Sequence, residues 1–129
     1  MVRRISDSGD RSRGSVAAEF AIIAPVLAFI LFAIIQYAIV FNRSQAVHAA
    51  AREGARVGSL PSTSSSEACA AAINALDGVN FESTPSCTPD DDCASTEEFK
   101  VTLATSYTIN VVFFSDTINL NGEGIFRCE

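Results

Sequence analysis

The longest feature of the hydropathy pattern is an apolar run near the N-terminus. From Phe20 to Phe41 the chain has 22 consecutive residues without a formal charge. A helix of that length spans ~33 Å, close to the roughly 30 Å of a bilayer's hydrocarbon core. The polar groups within the run are Gln36 and the Tyr37 hydroxyl, near its far end, where a tyrosine suits the membrane interface. The pattern predicts a single transmembrane helix.

Three other interpretations of this run stay open. It could be a buried core helix, although such helices are usually shorter and the chain offers little other mass to surround one. It could be a cleaved secretory signal, for which Ala49 and Ala51 provide an A-x-A pattern, although such signals have an apolar stretch of about 7–15 residues. It could also be an uncleaved anchor without a further role.

The helical pattern continues past the apolar run with small side chains. Residues at positions i, i+3, i+4 and i+7 of this stretch are Val47, Ala50, Ala51 and Gly54. We predict one helix from about Val16 to Val57 that ends near Gly58, because Pro61 follows. Small residues on one face allow another helix to approach closely.

Pro25 lies early in the apolar run, where it removes the backbone hydrogen bond to Ala21. We expect a kink there, which a membrane helix tolerates when neighbouring groups satisfy the freed carbonyl. A mechanical hinge is the alternative, so Pro25 is a candidate assembly residue.

A polar stretch, PSTSSS at residues 61–66, separates the long helix from a small head. Ser65 or Ser66 can cap a short helix, with Glu67 favourably placed in its first turn. The apolar stripe of this helix is Ala72, Ile73 and Leu76. It is too short to be stable alone, and Gly78 ends it.

Later in the head the apolar period changes to two, which is typical of strands. Two alternating runs begin at Phe99 and Ile109, with a turn near Ser106 between them. A third run follows, in which Gly122 and Gly124 suggest a bend or bulge. The predicted fold is α+β: a long N-terminal transmembrane helix, then a head with a short helix packed on a roughly three-stranded antiparallel sheet.

Charge is divided unevenly along the 129 residues, with a net +2 over residues 1–14 and a net -7 over residues 42–129. Because phosphate contact needs clustered Lys and Arg, this distribution argues against nucleic acid as a partner. The basic end instead suits an anionic cytoplasmic leaflet. The predicted organisation is a basic leader at 1–14, a transmembrane and continuing helix at 15–58, and an exported head at 59–129.

All four cysteines follow the apolar run, at Cys69, Cys87, Cys93 and Cys128. An even number on one side indicates disulfides in an oxidising compartment. Together with a thin excess of Arg before the run, this predicts a cytoplasmic N-terminus and an extracytoplasmic head. Of the three possible pairings we favour Cys87–Cys93 with Cys69–Cys128, because the second bond would join the short helix to the sheet.

Metal chemistry has two weak signals. A four-cysteine zinc site is the alternative to disulfides, although the spacing of Cys87 and Cys93 is wide for zinc ligands. Residues 79–98 read as a loop containing the acidic run Asp90–Asp92, which lacks the alternation of a calcium-binding EF-hand loop. We therefore predict a solvated acidic loop and no metal or cofactor.

A carboxylate lies at the start of the apolar run. Glu19 stands between Ala18 and Phe20, where a charge is costly unless it is paired. It is the fifth residue counted from Ser15, which follows Gly14 and a basic stretch. This arrangement resembles the cleavage site of type IV pilin precursors, in the short-leader form of the tight-adherence (Flp) pilus group. The resemblance implies that a membrane-embedded prepilin peptidase cuts the Gly14–Ser15 bond.

Cleavage at that bond would create an α-amino group on Ser15. A buried Glu19 could then pair with this ammonium in its own chain or in a neighbour's, which favours correct register because an unpaired buried charge is costly. The simpler alternative is that Glu19 stays hydrated at the depth of the lipid headgroups.

A second motif follows the apolar run, AAREGARVGSLP at residues 50–61. Together with the opening RGSVAAEFAIIAPVL it resembles the TadE-like family of minor pilins and pseudopilins, over residues 14–61. The closing IFRCE is similar to the end of such chains. The resemblance implies a type IV pilin-like layout, with the membrane and other pilus subunits as partners. For the motif itself, local pairing of Arg52, Glu53 and Arg56 is the simplest interpretation.

Three function classes remain. The first is a minor pilin or pseudopilin for tight-adherence pilus assembly and secretion, processed after Gly14. The second is an uncleaved single-pass anchor whose head binds a partner. The third, an enzyme, is disfavoured because one Lys, Lys100, and one His, His48, leave little acid–base chemistry and no nucleophile motif is present. We expect no small-molecule substrate.

Overall fold

The computed structural model describes residues 9–90, 93, 97–111 and 114–129. Its elements are α1 (Gly9–Gly58), α2 (Ser65–Asn74), β1 (Ser86–Pro89), β2 (Glu98–Val111) and β3 (Phe114–Arg127). The strands form an antiparallel sheet in the order β1-β2-β3. This arrangement confirms the predicted α+β fold of a long helix, a short helix and a three-stranded sheet. The chain divides into two compact units between Ile35 and Gln36.

The first unit contributes the apolar part of α1. The helix runs on through Pro25, and the apolar side chains from Val16 to Ile35 are half or more exposed at most positions. It is the one helix of the described chain that is long and apolar enough to cross a membrane, and none of its apolar window is buried in the protein. Exposed apolar surface of this extent requires lipid or a protein partner to cover it.

The second unit is built around the small-residue stripe of α1. The predicted stripe is buried almost completely, and it packs with residues of α2, β2 and β3 in one core. The core residues are Val47, Ala50, Ala51, Ala55, Ala68, Ala72, Leu76, Phe99, Val101, Leu103 and Leu120. The head therefore folds directly onto α1 from about Val47 onwards. The small residues of α1 therefore allow the head of the same chain to approach closely.

Glycines allow these elements to touch. A Cβ on Gly54 would lie 2.6 Å from the Cβ of Ala72 on α2, and one on Gly122 would lie 2.6 Å from the Val47 carbonyl oxygen on α1. The pairing of β2 with β3 is continuous and one-to-one from Glu98–Arg127 to Val111–Phe114. The predicted bend or bulge at Gly122 and Gly124 is therefore wrong, because these glycines make room for the backbone of α1.

The N-cap of helix α2 lies one residue before the first of the two predicted caps, Ser65 and Ser66. Ser64 is the N-cap, and it forms a capping box with Glu67: the Ser64 hydroxyl accepts from the Glu67 N–H, while the Glu67 carboxylate accepts from the Ser64 N–H. Ala68, Ala72 and Leu76 are buried on its inner face. Ile73, expected in that stripe, is 41% exposed.

The strands differ from the prediction in two places. No turn occurs near Ser106, because β2 continues to Val111. Thr105 occupies an inward position of the alternation, where it is buried and its hydroxyl donates to the Ser83 carbonyl oxygen. In the sequence, this polar residue interrupts the alternation of apolar residues, although its hydroxyl is hydrogen-bonded in the structure. In addition, β1 forms within the segment expected to be a loop, and pairs Ser86 with Ala104.

Two disulfides join the head, but not in the favoured pairing. The bonds are Cys69–Cys87, with a Cα–Cα distance of 5.8 Å, and Cys93–Cys128, at 5.7 Å. The favoured Cys87–Cys93 and Cys69–Cys128 pairs are wrong because α2 lies against the short strand β1, which brings Cys69 to Cys87. A four-cysteine zinc site is incompatible with these bonds.

Candidate processing and assembly segment

The segment around Gly14 is accessible. Gly14 and Ser15 are both exposed on α1, and a Cβ placed on Gly14 would have no neighbour within 4 Å. A peptidase could therefore approach the Gly14–Ser15 bond without displacing any described side chain. The basic residues before Gly14 belong to the part of the chain whose side chains lie outside the described residues.

Glu19 follows Ser15 by four residues on the same helix. Residues at this spacing lie on the same helical face, about one turn apart. Glu19 is exposed and makes no salt bridge with any described residue, and the neighbouring Phe20 is 67% exposed. An ammonium group created on Ser15 would thus lie one turn from the Glu19 carboxylate. The Ser15 ammonium of another subunit could occupy the same place.

Pro25 completes the predicted assembly residues. It lies inside α1, with exposed apolar neighbours such as Val26 and Leu27. The structure brings Gly14, Ser15, Glu19 and Phe20 together within two turns of helix, whereas Pro25 lies nearly two turns beyond Glu19. Each of these five residues is exposed, and they point in several directions around the helix.

The AAREGAR motif has a structural explanation. Its small residues, Ala50, Ala51, Gly54 and Ala55, are buried against the head. Its charged residues face outward, and Arg56 pairs with Glu53 at 2.7 Å. Donation by the Arg56 guanidinium lowers the pKa of the Glu53 carboxyl below its ordinary value. The motif therefore joins α1 to the head, and the predicted local pairing is confirmed for Glu53 and Arg56.

One cluster was missed from the sequence. The Arg43 guanidinium lies 3.7 Å from the centroid of the Tyr107 ring, and it donates to the Asn80 carbonyl oxygen. These residues are far apart in the chain, and Arg43 was counted only as a charge after the apolar run. The available signal was an arginine at the end of a membrane-length run, where Arg and Tyr are common interfacial residues.

Metal ligands do not cluster in the described part of the chain. No group of three or more His, Cys, Asp or Glu side chains is placed to hold an ion among the residues searched. The calcium alternative concerned Asp90–Asp92, of which Asp91 and Asp92 lie outside the described residues.

Taken together, an exposed apolar helix that continues into a small disulfide-bonded α+β head defines a pilin-like layout. The family model of TadE-like proteins matches residues 14–56, a third of the chain, and confirms the resemblance drawn from the two motifs. The match implies a pilin-like protein associated with a tight-adherence pilus. No curated protein and no solved structure matches the chain.

Proposed function

We propose that the chain is a minor pilin or pseudopilin of a tight-adherence pilus system, processed by a prepilin peptidase after Gly14. Its role is assembly, and it performs no catalysis of its own. The observation that carries the proposal is the exposed Gly14–Ser15 bond one turn before Glu19, at the start of a long exposed apolar helix. A plain anchor would need no carboxylate at that point.

The proposed location follows from the same features. α1 crosses the bacterial inner (cytoplasmic) membrane once, with the N-terminus in the cytoplasm and the head outside it. The two disulfides support an oxidising compartment for the head. The proposed partners are the membrane, the prepilin peptidase and other pilin or pilus-assembly subunits.

The charge of Glu19 explains how assembly would favour one register. In a bilayer or a filament core its charge is expensive to bury, by several kcal/mol, without a cationic partner. After cleavage the Ser15 ammonium provides one, in the same chain or in the adjacent subunit. A subunit in the wrong register would leave both charges unpaired.

Substitution of Glu19 tests this role. Glu19→Ala should remain in the membrane but lose most of its recovery in the sheared pilus fraction, or in the co-purified assembly complex. The matched control is Glu82→Ala, which removes an exposed acid from the head and should leave recovery unchanged. Undiminished recovery of Glu19→Ala would refute the assigned role.

A further inference from the structure

The far end of the β2–β3 hairpin, as far as the structure describes it, lies outside the buried core of the head. Here the hairpin tip means residues 109–111 and 114–116. The core uses the opposite end of the hairpin, where Phe99, Leu103 and Leu120 are buried. In contrast, Phe114 at the tip is 80% exposed, the most exposed large apolar side chain of the described residues. An aromatic side chain this exposed suggests that another surface covers it.

Contacts with α1 fix the direction in which the hairpin runs. From the base towards the tip, Gly124 meets Ala51, Gly122 meets Val47, and Tyr107 meets Arg43. Hairpin residues nearer the tip therefore contact α1 residues nearer its N-terminus. The tip therefore points towards Phe41, the last residue of the apolar run within α1.

The hairpin is long enough to reach that level. The strand rises ~26 Å over the eight steps from Gly122 to Phe114. The helix rises ~9 Å over the six steps from Val47, which Gly122 touches, to Phe41. Even a hairpin inclined steeply to α1 brings its tip to the level of Phe41, where the predicted span meets water.

The chemistry of the tip suits a lipid surface. Side chains alternate between the two faces of a strand, so Tyr107, Ile109 and Phe114 share the face that is turned towards α1 at the base. Asp116 on this face is exposed, as a carboxylate at headgroup depth must be.

We propose that the hairpin tip is a second membrane contact, which inserts Phe114 into the interfacial region of the leaflet on the exported side. The Arg43–Tyr107 pair then lies at headgroup level, where both residue types are favoured. The head is thereby held against the bilayer at two points, by α1 and by the tip. This inference rests on α1 crossing the membrane, and is independent of cleavage or pilus assembly.

Tryptophan fluorescence tests this contact, because the chain contains no Trp. Phe114→Trp is prepared in the full-length chain, reconstituted into phosphatidylglycerol–phosphatidylethanolamine vesicles, and quenched with nitroxide-labelled lipids. The negative control is Ile125→Trp, half-exposed on the same strand and ~36 Å from Phe114. The control for the span is Tyr37→Trp, at a 72% exposed position of α1.

The proposal expects blue-shifted emission and lipid quenching for Phe114→Trp, comparable to Tyr37→Trp, and neither for Ile125→Trp. Quenching of Tyr37→Trp but not of Phe114→Trp would overturn the tip contact and leave the anchor intact. Loss of quenching at both positions would overturn the anchor as well. Blue-shifted Phe114→Trp emission that lipid does not quench, and that shifts red as the protein is diluted with lipid, would assign the tip to a second protein surface and overturn the proposal.

Discussion

At the scale of single residues, glycines allow the head to pack closely against α1. Gly122 lies against the Val47 carbonyl and Gly54 lies against Ala72. At Gly58, the space for a Cβ is filled by the ring of Phe99. At Gly122 the nearest neighbours are backbone atoms, which cannot rotate away, whereas at Gly54 and Gly58 the nearest atoms belong to the side chains of Ala72 and Phe99. Close packing of this kind has little tolerance for added volume.

Adding one methyl group at Gly122 should therefore destabilise the head. In Gly122→Ala the new Cβ would lie 2.6 Å from the Val47 carbonyl oxygen and 2.7 Å from its carbon. We expect the free energy of unfolding to fall by about 1–3 kcal/mol, measured by urea unfolding in detergent with circular dichroism. Asn121→Ala, at the exposed neighbouring position, is the control and should change stability by less than about 0.5 kcal/mol. Equal stability of the two variants would contradict the packing described.

Some residues of the candidate site are close together in the sequence, and others are brought together only by the fold. Gly14, Ser15 and Glu19 lie within six residues, so their spacing could be read directly from the sequence. The contact of Arg43 with Tyr107 and Asn80 depends on how the head folds back onto α1, which no local pattern reports. Sequence reasoning could therefore propose the processing segment, which stays a prediction, but it missed the contact of Arg43 with Tyr107.

At the scale of elements, boundaries with local chemical causes were predicted best. The end of α1 was expected near Gly58 and lies at Gly58. The break in β2 was wrong because the apolar pattern treats Thr105 as an interruption, whereas its hydroxyl is satisfied by Ser83. The short strand β1 was missed because SCTP has no clear alternation and ends in Pro89, which an edge strand tolerates.

The capping box of α2 gives this element a pH dependence. Hydrogen bonds from Ser64, with the backbone N–H as the larger contributor, hold the pKa of the Glu67 carboxyl below its ordinary value. A lowered folded-state pKa stabilises the fold above the ordinary glutamate pKa, and this stabilisation is lost as pH falls through the lower value. In Glu67→Gln we expect reduced stability at neutral pH and a difference from wild type that narrows in acid.

Unfolding midpoints measured for both proteins from neutral pH down to about pH 3 provide the comparison. Glu82→Gln, at an exposed loop position, serves as the control for loss of one negative charge. A wild-type advantage that stays constant, or grows, as the pH falls would show that Glu67 does not act through its carboxylate.

At the scale of the whole molecule, two disulfides stabilise a small head. Their sequence separations are 18 and 35 residues. The pairing was not predictable from spacing, since it depends on α2 lying against β1 and on Cys93 lying next to Cys128, just after β3. By loop entropy each bond contributes about 3–4 kcal/mol, the longer loop slightly more.

Removing either bond should therefore weaken the head substantially. We expect Cys69→Ala with Cys87→Ala, and separately Cys93→Ala with Cys128→Ala, each to lower the free energy of unfolding by about 3 kcal/mol. Peptide mapping of non-reduced wild type should recover Cys69 linked to Cys87, and Cys93 linked to Cys128. Recovery of a Cys87–Cys93 peptide would contradict the arrangement of α2 and β1.

The account of the whole molecule depends on an apolar helix that remains in the bilayer while its basic leader is removed. N-terminal sequencing of the protein that resists carbonate extraction from membranes tests this directly. We predict a mature chain that begins at Ser15. A chain that still begins at Met1, or one that starts near Arg52 and is released by carbonate, would contradict it.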